Sequence, residues 1–152
     1  MANHGANGRG NRNSDKSPTR IKRVITSDFV SGREVQGQIM DAIKANGYPD
    51  DDEFAIKLSL EEGLINAIKH GNKLDAAKRV WIEASVDQKT VDITIEDEGP
   101  GFEKAKVPDP TLEENLEKCS GRGILLIETY MSEAQWTKGG RKLHMVFKRR
   151  AK

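Results

Sequence analysis

From Arg79 to Glu96 apolar and polar residues alternate without a slip. Val80, Ile82, Ala84 and Val86 are interleaved with Arg79, Trp81, Glu83 and Ser85. After a turn at Asp87 to Lys89 the alternation resumes, with Val91, Ile93 and Ile95 set among Asp92, Thr94 and Glu96. A period of two belongs to a strand with one face on a core. The segment therefore predicts a β-hairpin, and its apolar face demands a second layer to cover it.

Helices supply that layer. Val35, Ile39 and Ile43 recur at i, i+4 and i+8 behind Ser31-Gly32-Arg33-Glu34, which has the S-x-x-E form of a capping box. Asn46-Gly47 ends this helix and Pro49-Asp50 opens the next element. Asp51 to Lys69 reads as a second, longer helix, with His70-Gly71-Asn72 as its C-terminal cap region. Ile21 to Ser27 predicts a first strand and Gly123 to Tyr130 a third helix. Ala134 to Lys138 and Leu143 to Arg149, joined by Gly139-Gly140, predict a second hairpin. The order βααββ, a long connection, then αββ predicts an α+β fold. It is a two-layer sandwich with helices on one face of a mixed, mostly antiparallel sheet.

Composition narrows the function. Basic residues number 25 and acidic ones 24, a net charge of +1, so the chain carries no global basic field for nucleic acid. No apolar run approaches the roughly 18 residues of a membrane span, and Met1 to Arg20 lacks the apolar stretch of a secretory signal. The single cysteine, Cys119, excludes an internal disulfide framework and a CxxC-type zinc site. A cytoplasmic chain is expected. Residues 1–19 are rich in Gly, Asn, Ser and Arg and read as a disordered tail before one domain over 20–152. Through Arg23 six basic residues stand against one acidic, net +5, which leaves −4 for the remainder. Such an arm suits an acidic partner, and equally a solubilising tail.

Three constellations could carry chemistry. On the second helix Glu62, Asn66 and His70 align at i, i+4 and i+8 with Ser59 beside them, a narrow polar wedge on an otherwise largely apolar helix. A carboxylate one turn before a carboxamide suits a hard cation with its waters and a base for a nucleophile. The same pattern also describes a solvated helix face. Next, Asp97-Glu98-Gly99-Pro100-Gly101-Phe102 follows a strand directly. Its glycines permit close approach of a ligand, and Asp97 can accept from an amino group such as that of adenine. It is otherwise an ordinary strand-exit turn. Third, Ser120-Gly121-Arg122-Gly123-Ile124 opens a helix, where free N–H groups and the dipole suit phosphate. Between the last two lie the 19 residues from Phe102 to Ser120. That is far beyond the usual connection of about 4–6, a length typical of lids or linkers. Thr111-Leu112-Glu113-Glu114 offers a capped turn within it.

E-x-x-x-N on a helix, then D-x-G-x-G, a long lid and G-x-G resemble the nucleotide-binding domain of GHL ATPases and histidine kinases, the Bergerat fold. The chain resembles most the bacterial anti-sigma factor serine kinases of partner-switching systems. The residues that carry this are Glu62 to Gly71, Asp97 to Phe102, Val107-Pro108-Asp109-Pro110 and Ser120 to Ile124. The resemblance covers roughly Thr19 to Arg150. It implies a serine/threonine protein kinase that binds ATP and Mg²⁺, silences a sigma factor and phosphorylates an anti-anti-sigma protein. The alternative is a nucleotide-responsive binding module that inhibits a partner without turnover. A homodimer is left open, and no direct contact with nucleic acid or membrane is expected. Under the resemblance Asn66 would help hold Mg²⁺ and Glu62 would be the general base. Asp97 would bind the adenine amino group, with Gly99 and Gly101 letting the chain pass under the base. Gly121 and Gly123 would contact the phosphates through their N–H groups. Arg122 would neutralise phosphate charge or stand in solvent, and His70 would cap its helix. Relatives often carry a threonine near the start of the last strand. Here Arg141-Lys142-Leu143-His144 stands in that region.

Overall fold

A computed structural model describes residues 17–101 and 121–150. The elements run β1 (Thr19–Thr26), α1 (Phe29–Ala45), α2 (Asp50–Ile65), a π-helical turn (Asn66–Gly71), β2 (Arg79–Val86), β3 (Thr90–Glu96), α3 (Gly121–Tyr130), β4 (Glu133–Thr137) and β5 (Lys142–Lys148). The five strands form one sheet in the order β1-β2-β3-β5-β4. Every described pairing is antiparallel, so the parallel component of a mixed sheet does not occur among the described residues. The expected lid, residues 102–120 with the Val107 to Pro110 and Cys119 positions, lies outside the described residues. So does the expected tail up to residue 16; β1 begins at Thr19.

The alternation of β2 and β3 does what its period requires. Val80, Ile82, Ala84, Val86, Val91, Ile93 and Ile95 are all buried on one face. Ile82 opposes Ile95 and Ala84 opposes Ile93 in the ladder, and β5 continues the layer with Leu143, Met145 and Phe147. Val35, Ile39 and Ile43 of α1 and Ile56, Leu60 and Leu64 of α2 close over it. The cap of α1 differs from the expected Ser31–Glu34 box. Asp28 caps the helix, accepting from the Ser31 N–H at 2.7 Å. Asp28 also accepts from the Thr26 hydroxyl, which holds its carboxyl below the usual range. An ionised acceptor one turn earlier lets the helix begin at Phe29, and Ser31 becomes a first-turn residue.

The end of α2 differs as well. In place of an α-helix running to Lys69 and a capped end, the turn widens at Asn66. The Asn72 N–H reaches back five residues to the Ala67 carbonyl at 2.9 Å. Glu62 and Asn66 lie one helical turn apart and keep their common line. The cause of the widening is tertiary. Asn72 is wholly buried and tied to three other segments, and the extra residue in the turn lets it reach them.

Candidate functional site

One end of the candidate site is built where α2 meets α3. Glu62 lies on the last turn of α2 and Asn66 opens the wider turn, one helical turn on. Gly123 sits opposite, in the first turn of α3. A Cβ added to Gly123 would lie 2.8 Å from Glu62 Oε2, 3.2 Å from Asn66 Nδ2 and 3.5 Å from Asn66 Oδ1. A carboxylate and a carboxamide thus converge on the start of a helix, and an added side chain would have to displace their ends. Burial pushes the Glu62 carboxyl above the usual glutamate range; Glu61 adds to the rise and Arg122 opposes it. Arg122 itself is exposed. Gly121 is the first residue of α3, so its backbone belongs to the end with free N–H groups.

Two buried polar atoms on this stretch have no hydrogen-bond partner among the described residues: Asn66 Nδ2 and the Ser59 hydroxyl. A buried amide left unpaired costs free energy, which makes Asn66 a candidate to meet a ligand. Among the described residues no cluster of three or more His, Cys, Asp or Glu could hold a metal ion. The carbonyl oxygen of Asn66 nevertheless fits Mg²⁺. That ion takes hard oxygens and is usually held by one or two protein groups together with substrate phosphates and water.

The other end lies where the loop after β3 meets Gly71, at the close of the wider turn. Asp97 follows β3 directly and is 8% exposed. Its N–H donates to the Arg141 carbonyl at 3.0 Å, and its Oδ1 accepts from the Gly99 N–H at 2.7 Å. Burial raises its pKa to about 6, against the Gly99 N–H and the charge of Arg141. The carboxylate lies on the bare Cα of Gly71, where an added Cβ would come within 2.5 Å of the Asp97 carboxyl carbon. Gly99 rests on the Gly71 carbonyl just as closely, its added Cβ 2.2 Å from that oxygen. Gly101 has a φ of 78° and backs onto the Gly139 carbonyl. Arg141, in the region where a threonine was expected, thus meets Asp97 through its backbone.

The structure therefore brings Glu62, Asn66 and Gly123 together at one end, and Asp97, Gly99 and Gly71 at the other. His70 is half-buried, and burial together with Lys69 lowers its pKa. Sequence reasoning missed Asn72. Its Nδ2 donates to Ser27 Oγ at 2.8 Å and to the Arg79 carbonyl at 2.9 Å, and its Oδ1 accepts from the Glu98 N–H at 2.8 Å. Read along the chain, an Asn after His-Gly is a helix stop, and only the distant strands reveal the other role.

Comparisons with known proteins bear on the same residues. The chain is 40% identical over 83 residues to an anti-sigma F factor of Clostridium perfringens, covering 53% of this chain and 59% of that protein. To the anti-sigma F factor of Halalkalibacterium halodurans it is 38% identical over 88 residues, 56% of this chain and 60% of the other. It spans about three-fifths of the length of these relatives. Among solved structures, that of the RsbU and RsbW domains of Rv1364c from Mycobacterium tuberculosis superposes with a TM-score of 0.59 at 17% identity. It covers 87% of this chain and 32% of that one, a likeness of fold. Residues 25–147, which span β1 to β5 and both ends of the site, match the histidine kinase-like ATPase domain, and the chain belongs to that family of nucleotide-binding domains.

Proposed function

We propose that this chain is an ATP-dependent protein serine/threonine kinase that acts as an anti-sigma factor and phosphorylates an anti-anti-sigma protein. The observation that carries the kinase reading is the Glu62 carboxylate set beside Asn66 against the N-terminus of α3. Binding alone does not need a base. A carboxyl whose burial raises its affinity for a proton is suited to take one from a substrate hydroxyl. The likeness to anti-sigma F factors supports the choice of partners.

In this reading Asp97 orients the adenine by accepting from its amino group, and the N–H groups of Gly121 and Gly123 hold phosphate oxygens. Asn66 Nδ2, without a partner among the described residues, donates to a phosphate oxygen or its water. Asn66 would help hold Mg²⁺, which would supply neutralisation of phosphate charge. The serine oxygen attacks the γ-phosphorus, the bond from that phosphorus to the β,γ-bridging oxygen breaks, and ADP leaves. The hydroxyl proton passes to the Glu62 carboxylate. Among the described residues no helix is long and apolar enough to cross a membrane, and we place the protein in the cytoplasm.

The test is incubation with γ-labelled ATP and candidate anti-anti-sigma proteins, with sigma-factor binding followed in parallel. Label transferred to a serine of one candidate supports the kinase. Sigma binding that responds to nucleotide with no transfer to any candidate establishes the binding module instead.

A further inference from the structure

Asn72 joins more of the molecule than any residue of the site proper. Its three side-chain hydrogen bonds reach the end of β1 at Ser27, the start of β2 at Arg79 and the loop after β3 at Glu98. The surrounding bonds close the same knot. Ser27 Oγ donates to the Lys78 carbonyl at 2.8 Å, and the Arg79 N–H donates to Glu98 Oε2 at 2.6 Å. Both donors and the acceptor of the Asn72 amide are thus engaged in a wholly buried position.

The bond to Glu98 differs from the others because of what flanks it. Glu98 stands between Asp97, whose carboxylate presses on Gly71, and Gly99, which rests on the Gly71 carbonyl. Gly71 and Asn72 are consecutive. One dipeptide at the end of the wider turn therefore clasps the whole Asp97-Glu98-Gly99 loop, with the backbone of Gly71 beneath and the side chain of Asn72 at the Glu98 amide.

We propose that Asn72 is a positioning residue for base recognition: its side-chain carbonyl fixes the Glu98 amide and so sets the Asp97 carboxylate against the adenine amino group. The inference rests on the base-binding reading of Asp97 given above. Loss of the acceptor frees the loop to shift relative to Gly71. The carboxylate then no longer meets the exocyclic amine at hydrogen-bonding distance, and adenine loses its advantage over guanine.

The experiment measures affinities for ADP and GDP by calorimetry, well below each variant's melting midpoint. The wild type should prefer ADP. Asn72→Ala should shrink that preference about tenfold, the scale of one good buried hydrogen bond. Asn72→Ser, whose hydroxyl is too short to reach Glu98, should do the same and carries the test if the alanine variant does not fold. Asn72→Asp keeps the acceptor, gives up both donors and should lower the melting temperature while retaining the preference. Ser27→Ala breaks the knot on its far side and should likewise cost stability alone. A wild-type preference that Asn72→Ala or Asn72→Ser retains overturns the inference and leaves the base-binding reading standing. A loss of preference as large in Ser27→Ala or Asn72→Asp overturns it too, since general loosening would then be the cause. No preference in the wild type overturns both.

Discussion

Glu62, half-buried, and Asp97, buried, are two carboxyls whose environments push their pKa values the same way for different ends. Burial is the leading cause in each. For Glu62 the consequence is kinetic. Glu62→Gln should leave nucleotide binding nearly intact and slow phosphoryl transfer by about 10² to 10⁴. In single-turnover assays the wild-type rate should rise with pH through a pKa above the ordinary glutamate range, and the variant should lack that limb. For Asp97 the consequence is also thermodynamic. The folded protein holds the Asp97 proton more tightly than the unfolded chain does, at a pKa of about 6. The folded state thus binds more protons between about pH 4 and pH 6 and loses stability as pH rises through that window. Asn carries no such charge. The melting temperature of ligand-free Asp97→Asn relative to wild type should therefore climb from pH 4 to pH 6 and level off above it. Affinity for ADP should fall by about 1–3 kcal/mol in the same variant, because one accepting oxygen becomes a donor facing a donor.

At the scale of elements, the site depends on how closely two helices and a loop approach. Gly123→Ala places a methyl 2.8 Å from Glu62 Oε2 and 3.2 Å from Asn66 Nδ2. Both obstacles are ends of flexible side chains, so the fold gives way there. We expect a change in melting temperature of a few degrees at most and a loss of at least about tenfold in phosphoryl transfer, the cost of displacing positioned groups. Circular dichroism melts and single-turnover assays on one preparation separate the two. Much of this level was legible in the sequence. Strict alternation located β2 and β3, and E-x-x-x-N, D-x-G-x-G and G-x-G marked the elements that converge. What escaped is instructive. A 3.6-residue period carried past Asn66 extends the α-helix to Lys69, and nothing local signals the wider turn. It is imposed by Asn72, whose partners Ser27, Arg79 and Glu98 lie 45, 7 and 26 residues away. The start of α1 escaped for the opposite reason, since two acceptors compete within four residues and Asp28, supported by Thr26, wins.

Across the whole molecule the two ends of the sheet divide the labour. At the end remote from Asp97, Arg149 donates to the carbonyls of Asn46, Gly47 and Gln88 and lies over the Tyr48 ring at 5.1 Å. It ties the α1–α2 turn and the β2–β3 turn to the end of β5. Asp97 lies beyond the other end of β3, about 20 Å off for a seven-residue strand. Arg149→Ala should thus cost about 2 kcal/mol of stability, from hydrogen bonds made by a charged donor. Its affinity for ADP at low temperature should equal that of the wild type; chemical denaturation and calorimetry check the two halves. Asn66→Ala should behave the other way round. Its ligand-free stability should change little or improve, because an unpaired buried amide is removed. The added stabilisation that Mg²⁺ gives to the ADP complex should largely vanish, as thermal shifts with and without the ion will reveal.

The strand order has a bearing on how the protein is made. β5 leaves the ribosome after the other four described strands, yet it lies between β3 and β4, and its register with β3 places Lys142 opposite Glu96, beside Asp97. Until it emerges, one flank of β3 has no neighbour, β4 has nothing to pair with, and the Asp97 N–H lacks the Arg141 carbonyl. β1 waits too, since its partner β2 begins more than fifty residues after it ends. Such late, long-range closure leaves open strand edges on a nascent chain, a state prone to aggregate. A chain released before Arg141 would carry Glu62, Asn66 and Asp97 and still lack the carbonyl that holds the Asp97 N–H.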